Sequence, residues 1–175
     1  DRVIKTLELR DKAENETGEK KIYMPNITAE TEEMIRRAEF VKAHGGEYIM
    51  IDIITVGFAA LQTIRNRNFN MVIHAHRAMH GALTENPKHG MSMLSIAKLA
   101  RLIGVDQLHI GTAVGKMKGP ALEVQLIEDE CEENHIEVNK RQHVLEQDWH
   151  HIKPVLAVAS GGLHPGMTQK LMKIM

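Results

Sequence analysis

Met71-Val72-Ile73-His74-Ala75-His76-Arg77-Ala78-Met79-His80 is the stretch on which the fold turns. Three apolar residues run without alternation into a dense polar tip, the pattern of a fully buried parallel strand whose carboxyl end opens into a site. At period two, His74 and His76 share one face and Ile73 and Ala75 the other, and Arg77 starts the turn. One histidine alone is as readily a hydrogen-bonded core residue. Two histidines and an arginine on one strand end are harder to hide, because titratable and cationic groups are costly to bury without partners.

Outward from this strand a β-α rhythm repeats. Ile22–Ile27 is a candidate strand weakened by Pro25, which lacks a backbone donor. Thr28 is placed to cap a helix with acidic residues in its first turn and Met34, Ile35, Ala38 and Val41 as its buried stripe, stopped by Gly45-Gly46. Tyr48–Ile54 reads as the clearest strand, with Asp52 near its carboxyl end, and a helix over Gly57–Asn66 follows. Met93, Leu94, Ile96, Ala97, Ala100 and Leu102 give a helix face ended by Gly104. Gln107–Ile110 is the next strand, a largely helical acidic stretch spans Pro120–Gln147, and Pro154–Ala159 is a last strand delivering Ser160-Gly161-Gly162. At the ends, residues 1–16 form a charged helix with a ragged apolar face of Val3, Ile4, Leu7 and Leu9, and Pro165–Met175 forms another. Both ends read as cut.

Strands separated by helices, with no hairpin between them, predict a parallel sheet with right-handed crossovers. Polar residues gather after the strands, as on the catalytic face of a (β/α) barrel or the ligand edge of a doubly wound sheet. Five such units do not close a barrel, which takes eight strands and about 250 residues.

Composition narrows the function classes. The 175 residues are 43% hydrophobic with a formal charge of −1, which supports a core and argues against nucleic-acid binding dominated by phosphate contacts. No signal sequence and no long apolar run is present, so a cytoplasmic protein away from membranes is the expectation. Cys131 is the single cysteine, flanked by acidic residues that disfavour a thiolate, and reads as helix filler.

The strand ends offer a cationic, donor-rich inventory. Ser160-Gly161-Gly162 supplies consecutive backbone donors suited to a phosphate or carboxylate, although an ordinary glycine turn has the same letters. Asp52 fits a metal ligand, an orienter of histidine or a salt-bridge partner. Gly111–Lys116 is one residue short of a phosphate-binding P-loop and lacks the hydroxyl after the lysine. That leaves Lys116 either on a glycine-hinged loop closing over an anion or as a solvated surface lysine. His109 fits phosphate binding, proton relay or core donation. Together these suit a phosphorylated sugar and proton transfer at a hydroxyl-bearing carbon. A metal-dependent amidohydrolase is the rival, but it takes His-x-His from an early strand and needs a late aspartate. A scaffold that only binds a phosphorylated ligand is the non-catalytic alternative.

His74–His80, Asn86-Pro-Lys-His-Gly90, Gly104–Lys116 and Val158–His164 resemble segments of the catalytic barrel of the ribulose-bisphosphate carboxylase large chain, archaeal type. The resemblance covers essentially the whole chain. It implies a partial (β/α)8 TIM barrel, from the helix after barrel strand 2 to the helix after strand 7, with residues 1–175 a fragment of the carboxyl-terminal catalytic domain. It implies magnesium-dependent carboxylation of ribulose 1,5-bisphosphate, with carbon dioxide or oxygen as co-substrate, in a homodimer or assembly of dimers. His76 would take part in proton transfer, Arg77 bind one phosphate, His109 contact substrate, Lys116 stabilise the added carboxylate, and Ser160, Gly161 and Gly162 contact substrate. Lys118 stands where the family loop has an acidic residue. The base lysine, the carbamylated lysine with its magnesium-binding Asp and Glu, barrel strand 8 and the amino-terminal domain have no counterpart here. The resemblance therefore implies that these residues alone are inactive. Carboxylase-like enolases and isomerases are the family-level alternative.

Overall fold

A computed structural model describes residues 1–86, 88–114 and 121–174, without the side chain of residue 121. The chain divides into two compact units, Asp1–Ala78 and Met79–Met175.

The first unit opens with α1 (Arg2–Thr17), closed by Gly18, whose left-handed φ of 70° lets its N–H reach Glu14 O at 2.8 Å. Of its apolar face only Leu7 is buried, and Leu9 is 64% exposed, so the ragged pattern buries less than its letters suggest. Residues 22–27 do not form the expected strand: they make one parallel bridge, Asn26 to Met50, and Ile22 is exposed. Pro25 removes a ladder donor at the position where pairing would extend. Helix α2 (Thr31–Ala43) buries the predicted Met34, Ile35, Ala38 and Val41. Its cap is Glu30 and not Thr28: the Glu30 carboxylate accepts the N–H groups of Glu32 and Glu33, each at 2.8 Å.

Strand β1 (Tyr48–Asp52) pairs in parallel with β2 (Val72–His76), register Tyr48 to Val72 through Asp52 to His76. Between them runs α3 (Ile53–Arg67), broken by Gly57 at φ 78° and ψ 161°, so β1 stops at Asp52 and Ile53-Ile54 turn into the helix approach. Ile49, Ile51, Ile73 and Ala75 are almost fully buried, and burial of each large aliphatic contributes about 1.5–3 kcal/mol.

The second unit contains α4 (Gly81–Thr84), α5 (Met93–Ile103) and β3 (Gln107–Gly111). Ser92 caps α5 by accepting the Ser95 N–H, and Gly104 ends it at φ 91°. Met93, Ile96, Ala97 and Ala100 are buried as predicted, but Leu94 is only half-buried, Leu102 is 58% exposed, and Arg101 completes the inward face in its place, wholly buried. Helix α6 (Ala121–Glu132) is shorter than the predicted acidic helical stretch: β4 (His135–Ile136) and β5 (Gln147–Asp148) follow as a two-stranded antiparallel ribbon. The alternation that builds it is only two residues long per strand, too short to stand out in a sequence. Strand β6 (Leu156–Ala159) pairs in parallel with β3. The predicted terminal helix shrinks to one 3-10 turn and α7 (Thr168–Leu171), with Met172 73% exposed and Met175 outside the described residues.

Candidate active site

In the first unit the two carboxyl ends of β1 and β2 lie side by side, because the parallel register sets Asp52 opposite His76. Asp52 Oδ1 is 2.8 Å from His76 Nδ1. The Ala78 N–H also approaches Nδ1, at 3.3 Å, but the carboxylate is nearer and charged and takes the ring hydrogen. Nδ1 is then the donor, leaving Nε2 as the basic nitrogen of the ring. Of the roles open to Asp52, orienting a histidine is the one this geometry realises.

Two residues to which the sequence reading gave other places, Asn26 in a strand and Thr28 as a helix cap, hold Asp52 in turn. Asn26 Nδ2 donates to its carboxylate at 3.3 and 3.4 Å, and the Asp52 N–H donates to Thr28 Oγ1 at 2.8 Å. Thr28 N–H donates to Asn26 Oδ1 at 2.9 Å, so a tight Asx turn ties both supports together. An asparagine two places before a threonine is the only local signal of this turn, and nothing in it points to residue 52. His74, on the same strand, is 2% exposed and belongs to the core, while the His76 side chain is 35% exposed. Arg77, at 9%, is buried directly after the strand.

In the second unit, His109 lies in β3 opposite Val158, and after a register shift between His109 and Gly111 pairing resumes at Gly111 and Ala159. The Ser160 N–H donates to Gly111 O at 2.7 Å, which seats Ser160-Gly161-Gly162 directly on the end of β3. Gly161 and Gly162 have φ values of 121° and 65°, backbone that side chains resist. Lys116 lies outside the described residues.

Magnesium prefers several oxygen ligands in octahedral array. Among the described residues no group of three or more His, Cys, Asp or Glu gathers to hold a metal ion, and Asp52 is already engaged by His76 and Asn26. These residues do not fit a magnesium centre by themselves.

Over residues 1–175 the chain matches the family described as ribulose bisphosphate carboxylase large chain, catalytic domain. The chain belongs to this family. Its fold is accordingly part of a TIM-barrel-like α/β architecture, parallel strands flanked by helices. The chain is similar to the ribulose bisphosphate carboxylase of Methanocaldococcus jannaschii, 54% identical over the full chain and 41% of that protein's length. It is 48% identical to that of Pyrococcus abyssi, over 99% of this chain and 38% of the relative. Among solved structures, the dimeric archaeal Rubisco from Hyperthermus butylicus matches with a TM-score of 0.87 at 44% identity, covering 96% of this chain and 39% of that one. The octameric Rubisco of Pyrococcus horikoshii matches with a TM-score of 0.85 at 48% identity, covering 99% and 38%. The chain thus spans about two fifths of the length of the carboxylases it matches, and its likeness is to the archaeal type of large chain.

Proposed function

We propose that this chain is a segment of the catalytic barrel domain of a ribulose-1,5-bisphosphate carboxylase/oxygenase, whose reaction is carboxylation of an enediolate to give 3-phosphoglycerate. The observation that carries the reading is the Asp52–His76 pair at 2.8 Å on adjacent parallel strand ends, in a chain matched throughout by the carboxylase family. With Nδ1 given to Asp52, His76 exchanges a proton at Nε2, which suits a step that moves a proton on a sugar carbon. Arg77 binds one phosphate, and Ser160, Gly161 and Gly162 present backbone donors to an anionic part of the substrate. His109 contacts substrate, and Lys116 meets the charge of the added carboxylate. Magnesium would supply Lewis-acid stabilisation of developing oxyanion charge in such a reaction. Its ligands, a carbamylated lysine with an aspartate and a glutamate, belong in this reading to the part of the relatives' length that the chain does not span.

The parent works as a homodimer or an assembly of dimers, in the cytoplasm. No helix among the described residues is long and apolar enough to cross a membrane.

The test replaces the matching segment of the Methanocaldococcus jannaschii enzyme with these 175 residues and supplies ribulose 1,5-bisphosphate, magnesium and labelled bicarbonate. Carbon fixation that is lost in His76→Ala and Lys116→Ala supports the proposal. A folded chimera that fixes no carbon removes it and favours a carboxylase-like enolase or isomerase. Light scattering of the chimera reads the assembly.

A further inference from the structure

Arg101 is the most deeply buried charge among the described residues of the second unit, 0% exposed on the inner face of α5. Burying a guanidinium is costly unless its donors are satisfied, and a leucine would fill the same helix face without that cost. Its partners explain the choice. Nη1 donates to Glu130 O at 2.8 Å and Glu133 O at 2.7 Å, Nε to Lys153 O at 3.2 Å, and Nη2 to Ile152 O at 3.4 Å. All four are backbone carbonyls. The nearby Glu130 carboxylate is taken instead by Lys98, with Oε1 2.9 Å from Nζ, which leaves the guanidinium for the main chain. The Trp149 ring supports it from one face, 4.3 Å from the guanidinium carbon.

Two of these carbonyls belong to the end of α6, where the helix leaves its last oxygens without internal partners, and two belong to the residues leading into β6. The fork therefore staples the end of α6 to the entrance of β6. From there the bonds run on without a gap: Val155 N–H to Cys131 O at 2.7 Å, Leu156 N–H to Asp106 O at 3.0 Å, and Ala157 N–H to Glu132 Oε1 at 2.8 Å. The strand pairs with β3 through Ala159, and the Ser160 N–H closes on Gly111 O at 2.7 Å. A strand of this length is stiff along its axis, at about 3.3 Å per residue, so its entry point sets where its far end stands.

We infer that Arg101 is a positioning residue for the Ser160-Gly161-Gly162 anion nest, acting through β6 with no contact to ligand. The consequence for catalysis rests on the proposed carboxylase reading; the mechanical link does not. A nest that holds a non-reacting anionic group contributes equally to ground and transition states, so displacing it raises KM and spares kcat. Lysine at 101 keeps the charge but cannot reach four carbonyls from one point.

The experiment uses the full-length chimera and compares Arg101→Lys with Ile96→Ala, a core change on the same helix at a side chain that has no hydrogen-bond donor to offer these carbonyls. Amide hydrogen exchange followed by mass spectrometry is expected to quicken about tenfold across residues 155–162 in Arg101→Lys and to remain within about twofold there in Ile96→Ala. In the same preparations KM for ribulose 1,5-bisphosphate rises about tenfold in Arg101→Lys with kcat within about twofold. Equal exchange in the two variants overturns the inference. So does a loss confined to kcat. If Arg101→Lys does not fold, Trp149→Leu, which removes the ring beneath the guanidinium, carries the test, with a smaller rise over the same residues expected and no rise overturning it. If the unsubstituted chimera fixes no carbon, the carboxylase reading fails, and the exchange data alone still decide whether Arg101 holds the nest.

Discussion

Asp52 and His76 stand 24 positions apart in the chain and meet at 2.8 Å because β1 and β2 are parallel and in register at their last residues. The carboxylate selects the ring tautomer, and an amide in its place would present a donor or a weaker acceptor to Nδ1. In the full-length chimera, Asp52→Asn is expected to lower kcat about a hundredfold with KM for the sugar bisphosphate little changed, by analogy of role with other carboxylate-held histidines. Steady-state kinetics over substrate concentration check this; a kcat within twofold of the parent would show that the pair plays no part in proton transfer.

Arg77 is buried immediately beyond β2, and under the proposed function it binds a substrate phosphate. Arg77→Ala should weaken binding of a bisphosphorylated sugar about 10- to 100-fold and make the remaining affinity less dependent on salt, since a charge-assisted contact is lost. Calorimetric titration at two ionic strengths reads both. Arg77→Lys should recover only part of the loss, because lysine is a point charge without the planar fork.

Burial pushes the Cys131 thiol from 9.0 up to about 12. A folded-state value above the unfolded one means that the stability tied to the neutral thiol is complete below pH 9.0 and is lost as pH climbs toward about 12. Urea unfolding between those limits is expected to show falling stability, with a shallower fall in Cys131→Ala. A maleimide should leave Cys131 unmodified at neutral pH until the chain is unfolded.

Glu128 and Asp129 on α6 are both held above the usual carboxylate range, first by partial burial and then by the like charges of their neighbours. Their contribution is therefore fully present below the ordinary carboxylate values and is lost as pH rises through the raised ones. Asp129→Asn should stabilise the protein at pH 7 by about 0.5 kcal/mol, a small value because solvent screens a largely exposed group. Thermal unfolding at pH 4 and pH 7 checks the sign: the gain should appear at the higher pH and vanish at the lower.

Sequence alone determined the elements whose signals are local. Apolar runs placed β1, β2, β3 and β6 within a few residues, since parallel strands flanked by helices read as near-continuous apolar sequence. Gly18 and Gly104 ended their helices where a left-handed residue is required. Matched segments around His76, His109 and Ser160 were enough to imply the family. Tertiary structure decided what depends on which distant backbone arrives nearby. Asn26 left its predicted strand because only one bridge to β1 forms, and its amide became a support of Asp52. Thr28 serves the Asp52 N–H and not the helix it was placed to cap, because Glu30 reaches the orphan donors of α2 first. The burial of Arg101 on α5 follows from four carbonyls 29 to 52 positions away that no periodicity announces. Propensity and period are properties of neighbours in the chain, whereas a buried charge or an oriented histidine is a property of neighbours in space.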